Sequence, residues 1–237
     1  MKKQTLVLAA ISACFFMSCA SKEAEDDEIY YEGDEGFLTE IEAPEMNENF
    51  LADFDEVLLE NSMVLVKNMG KLKPREIKHV YLYPRKNTIE MKFHYGVNMV
   101  AIILNQKERT KIIENAERFF AEYEAKELHK HKVKAKTAYC NSTMPFYWGV
   151  TSTNNGTVKN KYYLNYEIID KRAYFVIHFT PTRCDQGYGN GESDVDVYTP
   201  KMTLYLSPSQ LHDFVDLLDQ ENLLSVVKGL KKKAYTY

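Results

Sequence analysis

The chain of 237 residues carries 30 Lys and Arg against 34 Asp and Glu, a formal net charge of −4, with 45% hydrophobic residues. That balance gives no overall attraction for nucleic acid. The apolar share excludes a wholly unstructured chain and suffices for a proper core.

Lys2 and Lys3 open the chain with positive charge, and Leu6 to Met17 is apolar apart from Ser12 and Cys14. A membrane-spanning helix needs roughly 20 apolar residues, so residues 1–18 read as a secretory signal. Phe16-Met17-Ser18-Cys19 places a small residue before a cysteine, and hydrophilic sequence follows at once. These residues resemble the lipobox of bacterial lipoproteins, in the relaxed form known among spirochaetes. Phe16 stands where Leu, Val, Ile or Ala is usual. The resemblance implies cleavage before Cys19, a diacylglycerol on its thiol, and a membrane-held protein of the cell envelope, at the outer membrane or the periplasmic face of the inner one. Ile11-Ser12-Ala13-Cys14 matches the strict pattern better, but cleavage there leaves a very short signal.

Residues 19–48 read as a tether. From Ala20 to Asn49 the only base is Lys22, and twelve acids bring the stretch to −11. Such a segment has too few large apolar residues to fold alone, and it repels itself into extended forms. Residues 49–237 then form a single domain.

In chain order, Phe50, Leu51, Phe54, Val57 and Leu58 recur at helical spacing, which predicts a short helix over 49–60. Residues 62–69 are apolar and ambiguous, and 70–74 read as a break. Strands are expected at 77–83, 88–95 and 97–104. In the second of them Ile89, Met91, Phe93 and Tyr95 face one way. Asn105, with Glu108 three residues on, caps a helix that runs to about Leu128. Further strands are expected at 133–139 and 146–151, with a kink over 141–145 and a turn at Asn154-Asn155-Gly156. A hairpin follows over 162–169 and 173–180, around Asp170-Lys171. A Gly-rich loop spans 181–198, and 202–206 is the last strand. Ser207-Pro208-Ser209-Gln210 starts a helix with cap, proline and capping box in place. A second short helix covers 223–230. The junctions at Asn105 and Ser207 align without gaps and suggest a pseudo-repeat over 77–128 and 131–230. The expected class is α+β: an antiparallel sheet built from two meander-plus-helix halves, with the helices packed on one face.

No GxSxG elbow, HExxH helix, P-loop or dinucleotide-binding glycine run is present, so neither an enzyme nor a cofactor is expected. Cys140 and Cys184 are the two cysteines of the domain, and export makes a disulfide between them an open alternative to two thiols. Lys132, Lys134 and Lys136 alternate with apolar neighbours. They form either an acid-binding row or the guard of an edge strand. Lys92, His94, Tyr174, His178 and Tyr205 are expected on the sheet face away from the helices, as an aromatic and basic binding surface. Trp148 is either an exposed anchor or a core residue. Asp185, Asp194 and Asp196 lie in the Gly-rich loop and make a weak calcium candidate. The function expected is a binding or scaffold domain for a protein or acidic glycan. The alternatives are an envelope enzyme centred on His94, His178 or the Asp194/Asp196 pair, and a self-assembling structural lipoprotein.

Overall fold

The structure is a computed structural model and describes residues 56–150, 156–184 and 197–234. Twelve strands are described: β1 (Val57–Leu58), β2 (Ser62–Asn68), β3 (Lys71–Ile77), β4 (His79–Tyr83), β5 (Thr88–Tyr95), β6 (Asn98–Leu104), β7 (Cys140–Val150), β8 (Gly156–Ile169), β9 (Arg172–Phe179), β10 (Arg183–Cys184), β11 (Val197–Tyr198) and β12 (Met202–Leu206). Three helices accompany them: α1 (Gln106–Glu124), α2 (Pro208–Leu218) and α3 (Gln220–Ala234). Ten strands make one antiparallel sheet in the order β1-β4-β5-β6-β7-β8-β9-β12-β2-β3, and β10 pairs with β11 apart from it.

This corrects the expected architecture. There are no two meander-plus-helix halves, because β6 pairs with β7 from Asn98↔Val150 to Ile102↔Phe146 and the sheet runs on without a seam. The aligned junctions are two good helix caps and nothing more. Asn105 accepts the Glu108 N–H at 2.9 Å, and Ser207 and Gln210 form a reciprocal capping box. Any strand feeding a capped helix needs such residues.

The ends of the strand order belong to one hairpin. Val57 faces Leu82, the Leu59 N–H donates to the Val80 carbonyl, Ser62 faces Ile77, and Asn68 faces Lys71. The register is unbroken, so β1 leads into β2 and β3 into β4. Leu59 and Ser62, like Ile77 and Val80, are all buried in one core although each pair is three residues apart. Period-two alternation fails there, which marks a corner where both strands bend together. Beyond the corner β2 pairs with β12 and β4 with β5, so the sheet rolls round on itself.

Alternation elsewhere sends one side chain of each pair inward. Ile89, Met91 and Phe93 of β5 face the core with Val100, Ile102 and Leu104 of β6 and Phe146 and Trp148 of β7. The inner face is lined by Ile112, Ala116 and Phe119 of α1, Leu211, Phe214 and Leu218 of α2, and Leu223 and Val227 of α3, all in the same cluster. Phe119 meets Phe175 of β9 edge-on at 5.8 Å. Burying side chains of this size contributes roughly 1.5–3 kcal/mol each.

Three local readings change. Val57 and Leu58 are strand, not helix; residues 49–55 lie outside the described residues. The ambiguous 62–69 and the supposed break after it form the β2–β3 hairpin, turned by Met69 (φ 49°) and Gly70 (φ 79°). Residues 133–139 hold no strand but a single 3-10 turn, Ala135–Thr137. There the Asn165 and Asn141 side-chain amides donate to the Lys134, Thr137 and Ala135 carbonyls, where a strand partner would otherwise be. The kink expected over 141–145 is absent, and β7 runs through it.

Candidate functional site

Two polar arrangements stand out, one inside the rolled sheet and one on its wall. The first follows from the cap of α1. Asn105 fixes the first turn, which points Glu108, Arg109 and Lys111 at the sheet. Ser142 and Tyr162 face each other in register on β7 and β8 and point inward. Both hydroxyls donate to the same Glu108 carboxylate oxygen, Ser142 at 3.2 Å. The Lys111 ammonium donates to Ser142 Oγ at 2.8 Å and lies 3.7 Å from the other Glu108 oxygen. Burial, and then the Glu108 charge, hold the Tyr162 phenol well above its ordinary value, so it stays a donor. Charged groups persist in a core only when paired in this way.

Arg109 is a second buried cation, 1% exposed. It donates to the Asn87 carbonyl (2.6 Å), Asn87 Oδ1 (2.8 Å), the Leu218 carbonyl (3.1 Å) and Gln220 Oε1 (2.5 Å). It joins the β4–β5 turn, where Asn87 is left-handed (φ 47°), to the α2–α3 junction. Burial lowers its pKa to about 10, which leaves it cationic at neutral pH. These inner groups clamp helices to strands, and their donors and acceptors meet one another.

The second arrangement lies on the outer wall over β8, β9, β12 and β2. Tyr163 stacks on His178 with ring centroids 4.5 Å apart, and the His178 Nδ1 and Thr203 hydroxyl are 2.7 Å apart. Beside them Tyr174, Val176 and Tyr205 form a small apolar cluster with Leu65, Leu72 and Ile169. Every member comes from a strand. Lys67 pairs with Glu167 at 3.5 Å and stands 5.8 Å over the Tyr205 ring. Burial, followed by Glu167, pushes the Tyr205 phenol up. Burial, followed by the Lys201 charge, lowers His178 to about 4, so its imidazole is neutral at neutral pH.

Of the expected surface, Tyr174, His178 and Tyr205 come together on this wall, with both tyrosines buried among their neighbours. Lys92 and His94 alternate to the same outer side but sit on β5, four strand spacings from β9. At roughly 4.8 Å per spacing they belong to a separate patch. There Lys92 pairs with Glu90 at 2.8 Å and lies 5.6 Å over Tyr81, Tyr83 donates to Glu90 at 2.7 Å, and His79 stacks on Tyr81. His94 and His178 are therefore not brought into one site. Trp148 is a core residue beside Phe146. Lys132, Lys134 and Lys136 are exposed on the irregular segment around the 3-10 turn, so they guard no strand edge. Cys140 faces Leu164 in register, and its thiol donates to the Asn141 carbonyl at 3.7 Å. The Cys184 side chain, Cys19, Asp185, Asp194, Asp196 and the Asn154-Asn155 turn lie outside the described residues. Among the described residues no group of three His, Cys, Asp or Glu could hold a metal ion.

The inner network escaped the sequence reading. Glu108 was legible only as a helix-start residue, and nothing local told that Tyr162 would point inward at it.

The fold and both arrangements define a curved antiparallel sheet with three helices packed on its inner face, stabilised by buried polar clamps. A family model described as an uncharacterised Treponema protein matches residues 39–225, and the chain belongs to that family. A protein of Treponema pallidum (strain Nichols), described as uncharacterized, is 28% identical over 168 residues. The match covers 70% of this chain and 57% of the relative, so the chain spans little more than half of that protein's length. No solved structure matches. Among the described residues, no helix is long and apolar enough to cross a membrane.

Proposed function

We propose that the chain is a lipid-anchored protein of the cell envelope, held through Cys19, whose folded domain binds a protein partner on its outer wall. The observation that carries the binding reading is the exposed Met63 of β2, which alternates to the same side as Leu65 and the buried Tyr174, Val176 and Tyr205 on a wall formed by strands alone. Met63, on the same β2 strand, is 42% exposed at its margin. Tyrosine-rich patches with an apolar centre and polar rim are favoured at interfaces. The enclosed Glu108–Tyr162 network speaks for a clamp in place of a reaction centre, since Ser142 and Tyr162 have no exposed surface to offer a substrate. The Cys19 sequence supplies the anchor, because two or three acyl chains hold a protein stably on a bilayer.

Photo-crosslinking in intact cells from a reactive residue at Met63 tests the partner. A discrete crosslinked species that disappears with Tyr205→Ala supports the reading, and its absence counts against it. Fractionation tests the anchor separately. Wild type should follow the membranes, and Cys19→Ser should leave them.

A further inference from the structure

Every neighbouring pair in the sheet is antiparallel, so the β2–β3 and β5–β6 hairpin turns emerge at one end of the roll, with the β10–β11 pair that precedes β12. Two of the most exposed large apolar residues among the described residues lie at those turns. Met69 is 97% exposed and Val97 is 77% exposed. Tyr198, of β11, adds a third exposed large side chain at the same end.

Met69 is held at φ 49°, in the left-handed region. Asn, Asp or Gly fits such a turn position, and a bulky side chain does not. Met69 thus gains no burial from the domain and strains its own backbone.

Among the described residues, the charged side chains of these tips are basic. Lys71 and Lys73 follow Met69, and Lys201 follows Tyr198, all exposed. Among the described residues 67–73, 95–99, 156–161, 179–184 and 197–201 there is no Asp or Glu. The acids Asp185, Glu192, Asp194 and Asp196 belong to the loop between β10 and β11, outside the described residues.

We propose that this hairpin-tip end docks on an anionic lipid surface, with Met69 and Val97 entering the headgroup region and the lysines meeting lipid phosphates. A protein partner needs a contiguous, well-packed centre. Here the apolar residues are single points on separate hairpins, spaced by cations with long stems, which suits a bilayer interface. The inference does not depend on the anchor, because the contacts belong to the folded domain.

The test uses the mature chain with Cys19→Ser, which carries no acyl group at that position. Vesicles of phosphatidylcholine alone, and of equal parts phosphatidylcholine and phosphatidylglycerol, are the probes. Co-sedimentation with the anionic vesicles should exceed that with neutral ones by about tenfold and fall as salt is raised. Met69→Asn with Val97→Asn should lower anionic-vesicle binding by about tenfold. Asn suits the left-handed turn, so a thermal melt no lower than that of wild type verifies the fold. Binding that ignores anionic lipid, or that survives the double substitution, overturns the proposal. Capture by an envelope protein without any vesicle binding overturns it too.

Discussion

Arg109 is the residue on which most depends for its size. One guanidinium satisfies two backbone carbonyls and two side-chain oxygens from two distant parts of the chain. Removing it takes the guanidinium from the buried Asn87 and Leu218 acceptors, so Arg109→Ala should cost about 3 kcal/mol or more in a urea melt. Lys at this position cannot reproduce the planar fork and should recover only part of the loss. Tyr162→Phe removes one of the two hydroxyls on the Glu108 carboxylate and should cost about 1–3 kcal/mol. A variant as stable as wild type would show the clamp to be idle. His178 predicts a pH dependence. Unfolded it takes a proton near 6.5, and folded only near 4. The stability it contributes is present above 6.5 and is lost as pH falls towards 4, because the unfolded chain binds the proton first. Urea melts from pH 7 to 4 should show wild type losing stability more steeply than His178→Gln.

Individual elements were legible where local chemistry decided them. The alternation of β5, the capping box of α2 and the left-handed Asp170-Lys171 turn each need only near neighbours in sequence. The failures came where distant partners decided. Lys71 to Ile77 holds three Lys or Arg positions with a proline, too polar to signal a strand, yet it pairs residue for residue with the apolar β2. Edge positions tolerate such composition, and charges and proline there discourage pairing with other chains. The alternation of Val133 to Tyr139 promised a strand. Only its last residue meets a strand, the Tyr139 N–H donating to the Leu164 carbonyl, and the Asn141 and Asn165 amides take the Lys134, Ala135 and Thr137 carbonyls. The β2–β3 turn offers a prediction at this scale. Met69→Asn relieves a left-handed bulky residue and should raise stability by about 1 kcal/mol in thermal unfolding. A loss of stability would mean that Met69 packs on the domain after all.

At the scale of the whole molecule, the rolled sheet was not readable from the chain. Two helix-capping junctions invited a repeat, whereas the register across β6–β7 and the long β1–β4 hairpin make one continuous wall. Pairings between the first and last strands, such as Leu204 with Val66, have no local signal. The expected surface was half legible for the same reason. Alternation gave the outer side of each residue, but only the strand order separates Lys92 and His94 from Tyr174, His178 and Tyr205. The proposed function holds this domain beside a membrane through Cys19. Mass spectrometry of the N-terminal peptide of the purified mature protein tests that most directly. The account predicts a chain that begins at Cys19 and carries the added mass of a diacylglyceryl group and an N-acyl chain. A mature N-terminus with an unmodified amino group and no acyl mass on any cysteine would contradict it.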